Sequence, residues 1–261
     1  SRGLGDVYKR QLMYKPGKFN FRASYAAGFR TPTLSELYAT DIAKKNDRLT
    51  IGNLDLKPEK NNYFSLSAEY VHERFSVSVN AFYNNIRDMI DYNTIATGDK
   101  AMEQYGHKEV RQRDNIAEAK VHGINVSANA YLGAGFNLSG GYTHLNTQDV
   151  ELEQPIDKSI KNAYNINAQW AHSWKIYRLN INLNGRFNSK RFSKSYGYAP
   201  EYQLWDLNTR HSFNLKSVII EPGCGMENLF DYMDDRPYNS NYATLTPGRS
   251  FYISLSLKFK S

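Results

Sequence analysis

The chain has 261 residues, with 33 Lys and Arg against 26 Asp and Glu, a formal charge of +7 and a hydrophobic share of 41%. That share is low for a water-soluble core, yet the 17 glycines and 8 prolines are too few for a collagen or a disordered linker, so the chain should fold. No apolar run approaches the roughly 18 residues of a spanning helix, which excludes a helical membrane protein and leaves open a β-barrel, whose strands are apolar only at alternate positions.

Ser1 to Gln11, SRGLGDVYKRQ, resembles a translated sequencing-adapter remnant and is set aside, leaving 12–261 as the authentic stretch. From Leu12 onward the dominant period is two. Phe19, Phe21, Ala23, Tyr25, Ala27 and Phe29 alternate with Asn20, Arg22, Ser24, Ala26, Gly28 and Arg30. Further along, Leu179, Ile181, Leu183, Gly185 and Phe187 alternate with Asn180, Asn182, Asn184, Arg186 and Asn188. The last segment sets Phe251, Ile253, Leu255, Leu257 and Phe259 against Ser250, Tyr252, Ser254, Ser256 and Lys258. Such alternation means a strand with one face in grease and the other in water. Strands are predicted near 18–30, 62–71, 75–88, 115–132, 136–146, 161–174, 177–188, 203–215, 218–229 and 249–259. Several exceed the roughly 9 to 11 residues a tilted strand needs to cross a bilayer.

Short connections at His72 to Arg74, Gly133 to Gly135, Lys175 to Ile176 and Lys216 to Ser217 alternate with long ones near 31–61, 89–114, 147–160, 189–202 and 230–248. All long loops then lie at one end, an asymmetry typical of outer-membrane barrels and without reason in a soluble sandwich. Aromatic residues fall at strand ends, where amphipathic rings sit between lipid and water. Phe29, Phe64, Tyr83, Tyr142, Tyr164, Phe187, Trp205 and Phe251 mark the long-loop end; Phe19, Tyr70, Phe75, Phe136, Trp174, Tyr177, Phe213 and Phe259 mark the other.

The run Gly28-Phe29-Arg30-Thr31-Pro32-Thr33-Leu34-Ser35-Glu36-Leu37-Tyr38 resembles the barrel signature of TonB-dependent outer-membrane receptors. Gly52-Asn53-Leu54-Asp55-Leu56-Lys57-Pro58-Glu59 is similar to a second box of that family, with Leu54 where proline is common. Glu227-Asn228-Leu229-Phe230-Asp231 and Pro247-Gly248-Arg249 resemble its closing segment. The likeness runs from about Leu12 to Phe259. It implies an all-β, antiparallel transmembrane barrel of 22 strands, of which this chain supplies about ten C-terminal ones, without the plug and the segment through which the plug meets the TonB complex. Where that family ends on an aromatic residue, here Lys260 and Ser261 follow Phe259.

Catalytic patterns are wanting. Gly133-Ala134-Gly135 and Gly223-Cys224-Gly225 lack the third glycine and following helix of a dinucleotide loop, and His72-Glu73 lacks a second histidine at zincin spacing. The single Cys224 forbids an internal disulfide and a cysteine zinc site. No metal site, cofactor or enzymatic activity is expected, and the scattered basic residues do not form a nucleic-acid footprint. The Asp234-Asp235 pair and His107 are the residues an outer-membrane protease would need at its rim. The resemblance implies a histidine between the two boxes in haem-uptake members; residues 33–52 hold none, against haem as cargo.

For uptake, the informative residues are Arg191, Tyr196, Tyr198 and Tyr202 in one long loop and Arg236, Tyr238 and Tyr242 in another. Arginine offers a planar charged fork to an anionic iron chelate, and tyrosine adds stacking area with a polar tip. The same residues suit lipopolysaccharide phosphates equally well. Arg22, Arg30 and Arg186 face the polar side, where plug carboxylates are candidate partners. The resemblance implies import of a scarce nutrient, a ferric siderophore first and cobalamin second; a passive porin and an adhesin are the alternatives outside transport by TonB. Outer-membrane lipid and lipopolysaccharide are the expected surroundings.

Overall fold

A computed structural model describes residues 7–193, 197–233 and 247–260. Eleven strands follow one another in an antiparallel meander: β1 (Val7–Tyr14), β2 (Phe19–Arg30), β5 (Glu59–Val71), β6 (Phe75–Thr97), β7 (Glu109–Gly133), β8 (Phe136–Asp149), β9 (Asn162–Trp174), β10 (Tyr177–Asn188), β13 (Tyr202–Asn214), β14 (Val218–Glu227) and β15 (Ser250–Phe259). Between β2 and β5 lie α1 (Leu34–Tyr38), β3 (Thr40–Ala43) and β4 (Arg48–Ile51); α2 (Gly98–Tyr105) caps the β6–β7 hairpin, and β11 (Arg191–Ser193) pairs with β12 (Gly197–Ala199). The sheet is part of a barrel wall, not closed on itself.

The expected strands are all present. One more precedes them, because β1 takes in Val7 to Gln11, which the sequence set aside, and pairs with β2 from Val7↔Gly28 to Tyr14↔Phe21. Its apolar face carries Tyr8, Leu12 and Tyr14, but also Arg10 opposite Tyr25.

Register explains the two faces. Partners across an antiparallel ladder point the same way, so the rows Tyr25–Phe64–Tyr83, Ala23–Leu66–Ala81–Ile124 and Trp174–Tyr177–Phe213 all belong to one face. That face is exposed and greasy: Leu66, Ile253 and Phe259 are 66%, 89% and 82% accessible. An exposed apolar surface of this extent is one that a second apolar phase covers, worth about 1.5 to 3 kcal/mol for each large side chain covered. Both aromatic rows expected at its edges lie on this face, with Tyr142 stacked on Tyr164 at 4.6 Å and Trp174 on Tyr177 at 5.5 Å.

The opposite face is polar and cross-linked by side chains. Ser78 and Ser127 hydroxyls meet at 2.7 Å, Thr143 Oγ1 donates to Asn125 Oδ1 at 2.9 Å, and Asn167 Nδ2 donates to Asn182 and Asn184. Tight turns join strands at one end only. At 133–135 all three residues have positive φ, and a Cβ on Gly135 would fall 1.9 Å from the Ala171 carbonyl oxygen, so glycine is required there.

Two long loops prove far more ordered than their polarity suggested. Most of 89–114, expected as loop, extends β6 and β7 roughly 30 Å beyond Arg87. Register shifts at Ile86/Met89 and Thr94/Ala96 break the alternation that would have revealed it. Ala96, Ala101 and Val110, with Leu49 and Tyr105 against them, form a small hydrophobic core outside the wall itself.

Candidate functional site

The family-signature residues converge at the long-loop end, where they build two clamps. In the first, β2 ends on Arg30, whose register partner is Glu59 at the start of β5. Arg30 Nε and Nη2 each donate to a Glu59 oxygen at 2.6 Å, and Nη1 donates to Glu36 Oε2 at 2.9 Å. Glu36 stands at the third position of α1, where Thr33 and Glu36 form a reciprocal capping box: Thr33 N–H donates to Glu36 Oε2 at 2.8 Å, and Glu36 N–H to Thr33 Oγ1 at 3.2 Å. Pro32 precedes that cap. Burial pushes the Glu36 carboxyl up, but the hydrogen bonds from Arg30 and Thr33 outweigh it and hold it below the usual carboxylate range.

The second box is laid against this one. Asn53 N–H donates to the Glu36 carbonyl at 3.0 Å, while its side chain donates to the Arg113 carbonyl at 3.0 Å. A Cβ on Gly52 would sit 2.5 Å from the Leu37 carbonyl oxygen. Leu56 is buried. Asn115 receives the Lys57 N–H at 2.7 Å and donates to the carbonyls of Lys57 and Asp88. Glu59 also accepts the Ile90 N–H at 2.9 Å. Four strands are thereby tied together by side chains.

Further out, β4 runs parallel to the start of β7, from Arg48↔Glu109 to Ile51↔Gln112. His107 Nδ1 lies 2.9 Å from Asp47 Oδ1, and that hydrogen bond holds the Asp47 carboxyl below its ordinary range. His107 therefore pins two loops together, whereas the Asp234-Asp235 pair weighed with it for proteolysis lies outside the described residues. Among the described residues no three His, Cys, Asp or Glu side chains are grouped to hold a metal.

The second clamp closes β13, β14 and β15. Asn228, 4% exposed and at φ +52°, donates its N–H to Asp206 Oδ1 at 3.0 Å. Its side-chain amide donates to the carbonyls of Tyr232 (2.7 Å) and Pro247 (3.2 Å), and its Oδ1 accepts the Tyr232 N–H at 2.8 Å. Leu229 N–H donates to the Trp205 carbonyl at 2.7 Å, and the Phe230 ring meets Trp205 edge-on at 6.4 Å.

Residues 7–229 match the family model described as TonB dependent receptor-like, beta-barrel. The chain belongs to the TonB-dependent receptor β-barrel family. Its fold resembles the ferric enterobactin receptor PfeA of Pseudomonas aeruginosa (TM-score 0.75, 19% identity, 97% of this chain and 40% of that one). It also resembles the ferric preacinetobactin receptor BauA of Acinetobacter baumannii (0.68, 17%, 96% and 36%) and the siderophore receptor PirA of P. aeruginosa (0.66, 16%, 98% and 42%). The chain thus spans about two-fifths of the length of these receptors.

The arginines of the polar face differ in their partners. Arg30 is held by Glu36 and Glu59, and Arg186 lies 3.4 Å from Asp206, so both find carboxylates within the chain where plug carboxylates were considered. Arg22 has no such partner among the described residues.

The loop residues proposed for ligand contact are separated. Arg191 and Tyr198 belong to the β11–β12 hairpin, where the Phe192 ring meets Tyr198 at 5.3 Å. Tyr202 instead stacks on Tyr232 at 5.7 Å and lines a concavity of about 990 Å³ together with Tyr164, Phe187, Trp205 and Tyr232. Tyr196, Arg236, Tyr238 and Tyr242 lie outside the described residues. Sequence reading missed Asn115, Asp206 and Tyr232. The Thr33-x-x-Glu36 spacing could have marked the capping box, but nothing in the sequence announces that Asn115 will bridge two loops.

Proposed function

We propose that this chain is wall and loop structure of an outer-membrane receptor that takes up a ferric siderophore by TonB-dependent transport. The observation that carries the reading is the match of residues 7–229 to the receptor barrel, in a sheet whose apolar face carries many exposed large side chains and whose long loops gather at one end. The named functions of PfeA, BauA and PirA support an iron chelate as cargo. Anionic chelates suit the loop chemistry: Arg191 supplies a charged fork, and Tyr198, Tyr202 and Tyr232 supply stacking faces.

In this reading the two clamps hold the wall rigid at its mouth, so that loop motions on ligand arrival do not open the barrel. Lumen arginines such as Arg22 face the plug, and the plug relays energy from the TonB complex. The apolar face meets lipid, with lipopolysaccharide around the long-loop end. Deleting the gene is expected to abolish growth and radiolabelled-iron uptake on at least one limiting ferric chelate, with uptake restored by the intact gene and blocked by a protonophore. Uptake that persists in the deletion strain across iron chelates would overturn the siderophore reading; growth lost on cobalamin instead would reassign the cargo.

A further inference from the structure

On the polar face the charged side chains are unevenly spread. Arg22 on β2 and Glu69 on β5 stand on that face at one side of the sheet. At the other side stand Arg178 and Arg186 on β10, Asp206 and Arg210 on β13, and Lys258 on β15, which lies 2.6 Å from Glu221 of β14. Between the two groups lie four strands with no charge on this face. Alternate positions from Ser76 to Asn84 on β6, Val121 to Asn129 on β7, Asn137 to Leu145 on β8 and Asn165 to Ser173 on β9 share it by register, and every one is an amide, a hydroxyl or an uncharged small or apolar residue. Strand spacing and rise make this sector roughly 15 Å wide and 27 Å tall.

Much of its hydrogen-bonding capacity is free. Ser78 meets Ser127, Thr143 meets Asn125, and Asn167 reaches two asparagines of β10. Among the described residues, the side chains of Asn80, Asn129, Asn137, Asn165 and Gln169 have no hydrogen-bond partner. A cavity of about 590 Å³ opens beside Gly141, with Asn129, Ser139 and Asn165 around it and Arg186 and Asp206 at its far edge. The Asn165 amide leans over Gly141, where a Cβ would come within 2.4 Å of Asn165 Oδ1, so a free amide covers the floor of this hollow.

We propose that β6 to β9 form the sector of the wall along which a polar organic cargo crosses, passed from amide to amide, leaving the charged strands on either side to hold the plug. The proposal rests on the receptor reading above, in which the polar face lines the lumen, and adds to it the strands that carry the traffic. Charge-assisted hydrogen bonds are strong, so an arginine or carboxylate in the path would hold or repel a charged chelate. A neutral amide offers both donor and acceptor and replaces water at little net gain. Passage demands that balance, with contact good enough for entry and weak enough for release. The cargo that fits this chemistry bears hydroxyl, carbonyl or amide oxygens on its surface, and its net charge is of little account.

The test uses cells producing the full-length receptor in a Cys224→Ser background, which removes this chain's single thiol from the apolar face. One cysteine is then placed in the sector, as Ser127→Cys or Asn167→Cys, or beside it, as Ser67→Cys or Asn208→Cys. The probes are a membrane-impermeant biotin maleimide and radiolabelled iron supplied as ferric citrate, a ferric trihydroxamate and a ferric tricatecholate. Sector cysteines should label several-fold faster in respiring cells given these chelates than after a protonophore, while the flanking cysteines show no such difference. Biotin attached in the sector should stop iron uptake and leave chelate binding on ice intact; biotin on the flanks should leave both. Asn167→Lys should lower uptake several-fold without loss of binding, and Asn167→Gln should transport like the wild type. Equal labelling of the two sets, uptake stopped by label at Ser67→Cys but not at Asn167→Cys, or unchanged uptake by Asn167→Lys would each overturn the path. An unsubstituted receptor that takes up none of the three chelates would instead overturn the reading on which the path rests.

Discussion

Arg30 and Glu59 are ladder partners at the mouth of the wall, and their charged ends meet in a two-point contact with both N···O distances at 2.6 Å. The fork geometry matters because Glu36 occupies the third side of the same guanidinium. A lysine offers a point charge and cannot bridge both carboxylates. Arg30→Lys should thus loosen α1 more than it loosens β2. The Arg30 side chain is 37% exposed, which places the loss below that of a fully buried pair, at about 1 to 2 kcal/mol. Hydrogen exchange at Glu36, Leu37 and Asn53 in the full receptor should rise accordingly, while exchange at mid-strand β2 amides stays unchanged.

The same clamp predicts a pH dependence. Burial acts to raise the Glu36 carboxyl, but the Arg30 and Thr33 hydrogen bonds win and hold it below its ordinary 4.5. A lowered folded value means that the contribution to stability is complete above 4.5 and is lost as pH falls through the lower folded value. Spin labels on α1 and on β7 near Arg113 should report a fixed distance at neutral pH and a broadened one in acid. Glu36→Gln should give the broadened distribution at every pH; a Gln variant that still sharpens with rising pH would assign the transition to another group.

Much of the wall was legible because a membrane strand is simple to read: Phe251 to Phe259 alternate against Ser250 to Lys258 with no interruption, and β15 follows that pattern to the residue. The loops were opaque for a physical reason. In β6 the register slips around Asp88, which has φ +56°, so the apolar period breaks just beyond the aromatic row at the long-loop end. Gly98 and Gly106, bracketing the helix formers of α2, were the clue to that element, with Gly106 in the left-handed cap position at φ +74°. Parallel pairing of β4 with β7 depends on residues some sixty positions apart, Arg48 and Glu109 among them, and has no local signature. Of the site, the signature residues are legible but their partners are not: the polar side of β2 leaves plug carboxylates as candidates for Arg30, and Glu36 and Glu59 of this chain hold it.

On the apolar face, Gly185 is where Trp205 lies down. A Cβ there would come within 2.8 Å of Trp205 Cζ3 and 2.9 Å of Ile166 Cγ2. Trp205 also meets Phe187 edge-on at 5.4 Å, so it has little room to retreat. Gly185→Val should cost about 1 to 3 kcal/mol by overpacking. Pairing it with Trp205→Ala should return part of that loss, because the indole is one of the two groups in the way, the Ile166 methyl being the other. Thermal unfolding of the four receptors of this cycle in detergent measures the coupling, and additive losses would mean that the strain lies against Ile166 and not against the indole.

Asn228 combines two demands that different substitutions separate. Its φ of +52° favours asparagine or glycine, and its buried side chain makes three hydrogen bonds within the β14–β15 connection, two to Tyr232 just after β14 and one to Pro247 just before β15. Asn228→Gly keeps the backbone conformation and loses the three bonds, about 1 kcal/mol each. Asn228→Ala loses the same bonds and adds left-handed strain of about 1 kcal/mol, so it should be the worse of the two. Asn228→Asp retains the acceptor for the Tyr232 N–H but sets a carboxylate against the carbonyls of Tyr232 and Pro247, and beside Asp206, which accepts the Asn228 N–H. Repulsion makes aspartate poorer than glycine despite its similar shape. The fraction of receptor that reaches the heat-resistant folded form should fall in the order Asn, Gly, Ala, with Asp below Gly; an aspartate variant that assembles like the wild type would show that the clamp depends on the acceptor alone.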